Sequence, residues 1–246
     1  MFRDLTPKVR LLILINVGMF LAKSFLPDEY LSLHYFGAKD FYPFQLVTYM
    51  FVHGSFMHLL GNMFGLYMFG SLLERIWGAQ RFLFFYFFCG IGAGLLYVGI
   101  QHFVDFADIR RATEVVLSNP SSFNLMDYAQ HFAVIGSPQG VALNIEWVHA
   151  NYDEYINRSI LGGASGSIFG ILMAFGYLFP NSEMFLFPLP IPIKAKYFVS
   201  FYGLYELYQG IQQYEGDNVA HFAHIGGMIF AVILLKIWGT KRNTFY

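Results

Sequence analysis

Apolar residues in this chain fall into long blocks, separated by short joints that carry charge, proline or glycine. The blocks are of helical length, and six of them predict six helices at about 9–26, 56–74, 81–104, 161–179, 196–213 and 219–238. A helix of ~20 residues rises ~30 Å, the thickness of a bilayer's hydrocarbon core. The first block follows Arg3, Lys8 and Arg10 and has no small-x-small cleavage site, so it reads as a helix rather than a cleavable leader. The third contains the aromatic stretch Phe82 to Phe88, followed by Gly90, Gly92 and Gly94. Pro188, Pro190 and Pro192 break the chain after the fourth. The sixth begins with polar residues, so hydropathy alone places its start poorly.

Composition sharpens this pattern. Of 246 residues, 56% are hydrophobic, 20% aromatic and 13% charged, against ~45–50% apolar and ~25% charged in an ordinary soluble domain. Mean hydropathy is +0.47. A soluble globule of this size has too little charge to cover that much apolar surface. A net charge of −1 argues against a nucleic-acid binder, and the single Cys89 rules out an intramolecular disulfide. Cys89 lies in an apolar run and reads as packing. The fold class expected is an all-α membrane protein, one domain over 1–246.

Charge gives the direction. With both ends on the cytoplasmic side, the inner joints hold Arg3, Lys8, Arg10, Arg75, Arg81, Lys194, Lys196, Lys236, Lys241 and Arg242. Their acids are only Asp4, Glu74 and Glu183, while the outer joints hold most of the remainder. This positive-inside bias fits an even number of spans. The segment 105–160 is different: it is charged, rich in Ser and Asn, and too long for a plain connection. It is expected to be an extracytoplasmic insertion between the third and fourth helices. Phe106 to Leu117 and Trp147 to Ile156 suggest short amphipathic helices within it. It serves either as a structural cover or as a rim that admits a partner.

Polar side chains inside a membrane are costly, so each poses a functional question. Three clusters stand out. In the first, His58 and Asn62 are four apart and share one helix face. Both can donate hydrogen bonds into a common space, and taken alone they also read as helix–helix glue. His53, just before this helix, reads as ordering the preceding loop. The second cluster is Gly162-Gly163-Ala164-Ser165-Gly166-Ser167. Ser165 falls near the N-terminus of the fourth helix, where unpaired N–H groups can stabilise an oxyanion. Ser167 is a rival that points about 200° away around the helix. Gly166 and Gly170 form a small-xxx-small face, with a plain packing explanation. The third cluster holds His221 and His224, three apart on one face, followed by Gly227 and Ala231, a second small-xxx-small pair. If the fourth and sixth helices meet there, an imidazole reaches Ser165. Together the clusters supply a nucleophile, a base and oxyanion donors, the parts of acyl transfer. No intramembrane Asp is available to orient a histidine. Glu206, in the fifth helix, reads first as a hydrogen bond to a neighbouring helix. A Ser–His dyad therefore fits better than a triad.

Three motifs in one order, His58-x-x-x-Asn62, Gly163-Ala164-Ser165-Gly166 and Ala223-His224-Ile225-Gly226-Gly227, make the chain resemble the rhomboid family of intramembrane serine proteases. The resemblance spans roughly 41–104 and 160–238. It implies a six-helix bundle with a site below the outer membrane surface. It also implies Ser165 as nucleophile and His224, the histidine followed by Ile-Gly-Gly, as general base. His58, Asn62 and the Ser165 backbone N–H would form the oxyanion hole. Phe169, one turn after the serine, would pack on the imidazole. Gly163, Gly166, His221 and Gly227 are supporting residues. Where many members carry Trp-Arg in the first loop, this chain has Phe44-Gln45, which bears on how that loop is anchored.

The expected reaction is hydrolysis of a peptide bond in or near a transmembrane segment of a substrate that approaches laterally and unwinds locally. Residues near its outer end that are small or destabilise a helix would favour it. No metal, cofactor or nucleic acid is expected, the partners being membrane-protein substrates and the lipid bilayer. Oligomeric state is left open. The competing classes are a non-proteolytic relative that binds membrane clients, a metal- or haem-binding protein using His53, His58, His221 and His224, and a transporter or channel. The absence of a His-Glu-x-x-His motif disfavours a zinc protease, and the absence of an internal repeat weighs against a transporter.

Overall fold

Thr6 and Pro7 open the first long helix, α1 (Pro7–Leu21), with proline at a position whose missing N–H costs nothing. The next two N–H groups, of Lys8 and Val9, donate to the carboxylate of Glu74, which also accepts from the Thr6 hydroxyl. A buried acid from a distant helix thus satisfies the open end of α1 and complements its dipole. In this computed structural model the described residues are 5–105, 156–157, 160–185, 192–212 and 219–239. The expected helix Phe106 to Leu117, most of Trp147 to Ile156, and Pro188 and Pro190 lie outside them.

Ser55 starts α2 (Phe56–Trp77), its hydroxyl accepting from the His58 N–H. α2 widens to a π-helical stretch at Leu66–Gly70 and ends at Gly78, whose φ of +79° only glycine adopts readily. α3 (Ala79–Ile100) follows directly and continues as a π-helical turn, Gln101–Asp105. α4 (Ser165–Leu178), α5 (Ala195–Gln212) and α6 (His221–Ile237) complete the long helices among the described residues. Each of the six expected helices has a counterpart, with ends moved by a few residues. α1 ends at Leu21, five residues short of the expected 26, and α4 starts four residues late. Gly162 and Gly163 precede it in non-helical backbone, so Ser165 is its first residue. After α4, where the prolines predicted only a break, Glu183–Phe185 (β1) and Pro192–Lys194 (β2) pair as an antiparallel hairpin.

α2, at 22 residues, and α3 with its extension, 25 residues over Ala79–Phe103, are long and apolar enough to cross a bilayer; α4 and α6 are shorter apolar helices. Exteriors and interiors are distributed as a lipid solvent requires. Phe56, Met57, Leu60 and Phe64 of α2, Phe201, Leu204 and Tyr208 of α5, and Ile229, Ile233 and Ile237 of α6 face outward. Asn16, Gln45, Ser167, Glu206, His221 and His224 are buried. Exposed apolar faces of this extent are unfavourable in water and ordinary in hydrocarbon.

The described backbone forms two compact units. Of the described residues, one holds 5–33, 44–97, 161–185, 192–212 and 219–239, and so includes α1, α2, most of α3, and α4 to α6. Within it α4 is central: most of its residues are buried, and it packs on α2, α5 and, most extensively, α6. Phe169, Leu172, Val199 and Met228 form a core between α4, α5 and α6. Of the described residues, the other unit holds 34–43, 98–105, 156–157 and 160. There Tyr35 and His102 share a hydrogen bond of 2.5 Å, and the Asp40 N–H donates to Asn157 Oδ1 at 3.3 Å.

Candidate active site

Small residues decide how closely α4 and α6 approach. A Cβ placed on Gly227 would lie 1.9 Å from the Gly166 carbonyl oxygen, so the two backbones touch where only hydrogen fits. Gly170 meets Cys89 of α3 at 2.7 Å and the Gly227 carbonyl at 3.1 Å in the same sense, and Gly166 meets Ala93 at 2.5 Å. The expected Gly166/Gly170 face therefore lies against α6 at Gly227. Cys89 is buried packing in this seam.

That contact sets the neighbouring turns. Ser165, immediately before Gly166, brings Oγ to 2.9 Å from His224 Nε2. Phe169, one turn further along α4, stacks on the His224 ring with centroids 4.1 Å apart and planes inclined by 8°. Tyr202 of α5 backs Phe169 at 4.9 Å. On the far side of the imidazole, His224 Nδ1 is 2.7 Å from Glu206 Oε2, and His221 Nδ1 reaches the same oxygen at 2.7 Å. An ionised carboxylate only accepts, so both rings donate from Nδ1. In a neutral His224 with its proton on Nδ1, Nε2 accepts from the Ser165 hydroxyl.

The segment before α4 is fixed from below. Gly163 has φ of +130°, strained for any other residue, and its N–H donates to the Tyr49 carbonyl at 2.9 Å. The His58 ring lies against it: a Cβ on Gly163 would come 2.7 Å from His58 Cε1 and 2.8 Å from Nε2. One N–H of the Asn62 amide donates to the His58 carbonyl at 2.8 Å, leaving the amide's second hydrogen. The first-turn N–H groups of a helix have no intrahelical acceptor, and Ser165 stands at that end of α4.

His53 is 1% exposed and packs edge-to-face on His58 with centroids 5.0 Å apart. Among the described residues its ring nitrogens have no hydrogen-bond partner. Burial, with His58 alongside, lowers its pKa to about 4. Its carbonyl and that of Gly54 accept from Lys23, which also pairs with Asp28 at 3.1 Å. The loop before α2 is thus tied through the backbone of His53 and Gly54. Ser167 is turned away from the site, its hydroxyl donating to the Tyr86 carbonyl of α3 at 2.7 Å.

Glu206 does bond a neighbouring helix, as read from sequence, but its partners are both histidines of the third cluster. Nothing in the linear pattern gives the rotation of α5 against α6. Phe44 and Gln45 anchor the first loop by their own contacts: Phe44 packs on Tyr30 at 5.2 Å, and the Gln45 amide donates to the Tyr30 carbonyl at 3.1 Å. For metal ligation the described residues bring together Glu206, His221 and His224, with ligand atoms within 4.8 Å of one another. This differs from the four-histidine set considered above.

The Rhomboid domain model matches residues 40–109 and 129–240. The chain belongs to the rhomboid family. Three curated relatives agree. Rhomboid-like protein 11, chloroplastic, of Arabidopsis thaliana is 36% identical over 85 residues, covering 35% of this chain and 30% of that one. An uncharacterized mitochondrial rhomboid protein of Schizosaccharomyces pombe is 27% identical over 225 residues, 82% of this chain and 52% of its own. Rhomboid protein 1, mitochondrial, of Saccharomyces cerevisiae is 25% identical over 192 residues, 77% of this chain and 40% of its own. The aligned regions span from under a third to about half of these relatives' lengths. Rhomboid proteins are integral membrane proteins and usually serine intramembrane proteases, acting on membrane proteins within the bilayer.

Proposed function

We propose that this rhomboid protein is an intramembrane serine endopeptidase, with Ser165 as nucleophile and His224 as general base. The 2.9 Å contact between Ser165 Oγ and His224 Nε2, across helices held together at Gly166 and Gly227, carries the reading. A serine hydroxyl attacks effectively only when a base takes its proton, and a neutral imidazole at hydrogen-bond distance is that base. As Oγ attacks the scissile carbonyl carbon, its proton passes to His224 Nε2. The developing oxyanion is met by the Ser165 N–H and the side chains of His58 and Asn62; losing one such donor in other hydrolases costs ~10²–10³ in rate. His224 then protonates the leaving amine, and water, activated by the same imidazole, resolves the acyl-enzyme. Phe169 keeps the ring in its plane while the proton moves.

In this reading the six long helices are six spans of one rhomboid-type domain with cytoplasmic ends and an extracytoplasmic insertion at 105–160. The substrates are transmembrane proteins approaching laterally, between the second and fifth helices. The proposed steps use groups of the chain itself, side chains and a backbone N–H, together with water. Purified protein treated with a fluorophosphonate probe is expected to be labelled at Ser165 and to cleave at least one member of a panel of single-span substrates. Labelling or cleavage undiminished in Ser165→Ala would overturn the assignment.

A further inference from the structure

Glu206 is a carboxylate only 3% exposed, in the C-terminal half of α5. It stands on that helix's inward stripe: Val199 packs on Gly176, Tyr202 on Phe169, and Gly210 lies where a Cβ would meet His221 and Phe222 at 3.2–3.3 Å. Gly210 thus lets the start of α6 close on α5 and seats both histidines against one carboxylate. Burying a charge inside a membrane bundle is costly. Holding two helices together does not require one, because an amide or hydroxyl can do so. What a carboxylate adds is acceptance without donation.

That property bears directly on His224. A free imidazole exchanges its proton between two nitrogens, and only the Nδ1–H tautomer leaves Nε2 able to accept from Ser165. Glu206 Oε2, 2.7 Å from Nδ1, selects that tautomer and fixes the ring from the side opposite the nucleophile. His221 donates to the same oxygen from the preceding turn, giving the buried carboxylate a second partner. The spacing is that of hydrogen bonds: 2.7 Å from each Nδ1 to Oε2, where ligand atoms around a tetrahedral zinc stand ~3.4 Å apart.

We propose that Glu206 is a positioning residue for His224, completing a Ser165–His224–Glu206 relay whose far end is shared with His221. The proposal rests on the reading of Ser165 and His224 given above. When Oγ attacks, its proton moves to Nε2 and His224 becomes positively charged; Glu206 stays ionised beside it and takes no proton.

The test uses the full-length protein. ¹⁵N-histidine spectra of the wild type, with the His224 signals identified by their loss in His224→Ala, are expected to show the proton on Nδ1. In Glu206→Gln, kcat for a cleaved substrate and the rate of fluorophosphonate labelling are expected to fall at least ~10²-fold with KM nearly unchanged. Glu206→Asp is expected to recover part of the loss. In a His224→Ala background, Glu206→Gln should produce no further loss in the residual rate of fluorophosphonate labelling. A wild-type His224 protonated on Nε2 would overturn the proposal, as would additive losses in the double variant. The spectra do not depend on proteolysis. Failure of Ser165→Ala to abolish labelling would count against the protease reading, whereas a Glu206→Gln enzyme with wild-type kcat would count against Glu206 alone.

Discussion

Replacing Gly227 by alanine tests the seam on which the site depends. The added Cβ would sit 1.9 Å from the Gly166 carbonyl oxygen, where ordinary contact begins at 3.4 Å. The shortfall is about 1.5 Å, and the obstructing atom is backbone, so no rotamer relieves it. α4 and α6 must part or slide by a comparable distance. Gly166 follows Ser165 directly and Gly227 lies one turn from His224, so little of that movement is lost before Ser165 Oγ and His224 Nε2. Added to the 2.9 Å now separating Oγ and Nε2, it gives about 4.4 Å, beyond hydrogen-bond reach. A misplacement of ~1 Å can cost ~10²-fold in rate, and overpacking a filled interface destabilises by ~1–3 kcal/mol. Fluorophosphonate labelling, substrate cleavage and thermal unfolding should be measured together on purified protein. Gly61→Ala is the control, because a Cβ there meets nothing within 4 Å. Gly227→Ala is expected to lose at least ~10²-fold in labelling rate while Gly61→Ala keeps it. Wild-type labelling by Gly227→Ala would refute the claim that the α4–α6 contact sets the Ser165–His224 distance.

Other substitutions separate chemistry from structure. Glu74→Gln weakens the acceptor for three donors at the start of α1 and is expected to lower unfolding stability by about 2 kcal/mol; the activity of the molecules that remain folded should be unaffected. His224→Ala should abolish cleavage, whereas His221→Ala should leave measurable turnover; equal loss in a cleavage assay would remove the distinction between them. His53, held at about 4 against an ordinary 6.5, stays neutral in the folded protein, while the unfolded chain takes a proton below about 6.5. Its contribution is therefore complete above pH 6.5 and lost as pH falls toward 4, by up to ~3 kcal/mol. His53→Phe is expected to flatten the drop in melting temperature between pH 7 and 4.5.

The residues of the candidate site stood out in sequence because each is a local exception to an apolar background. A histidine, an asparagine or a Gly-Ser run within a block of phenylalanine and leucine is conspicuous whatever the tertiary fold. Helix existence was legible for the same reason: length and hydropathy are properties of a segment alone. Helix ends were less so. Ser165 is the first residue of α4 because Gly163 takes a left-handed turn pinned to Tyr49, a partner more than 100 residues away. The hairpin Glu183–Phe185 with Pro192–Lys194 was hidden because its prolines signal a break and say nothing of what pairs across it.

The sequence by itself determined the membrane solvent, the presence of the six long helices and the order of the three polar motifs, since each depends only on which residues are neighbours along the chain. Glu206 was visible there only as an isolated acid. That it faces His221 and His224 follows from the rotation of α5 about its own axis and the close approach at Gly210. Only the tertiary structure could decide this, because a hydrogen bond between helices depends on azimuth and separation, and neither is encoded by any one segment.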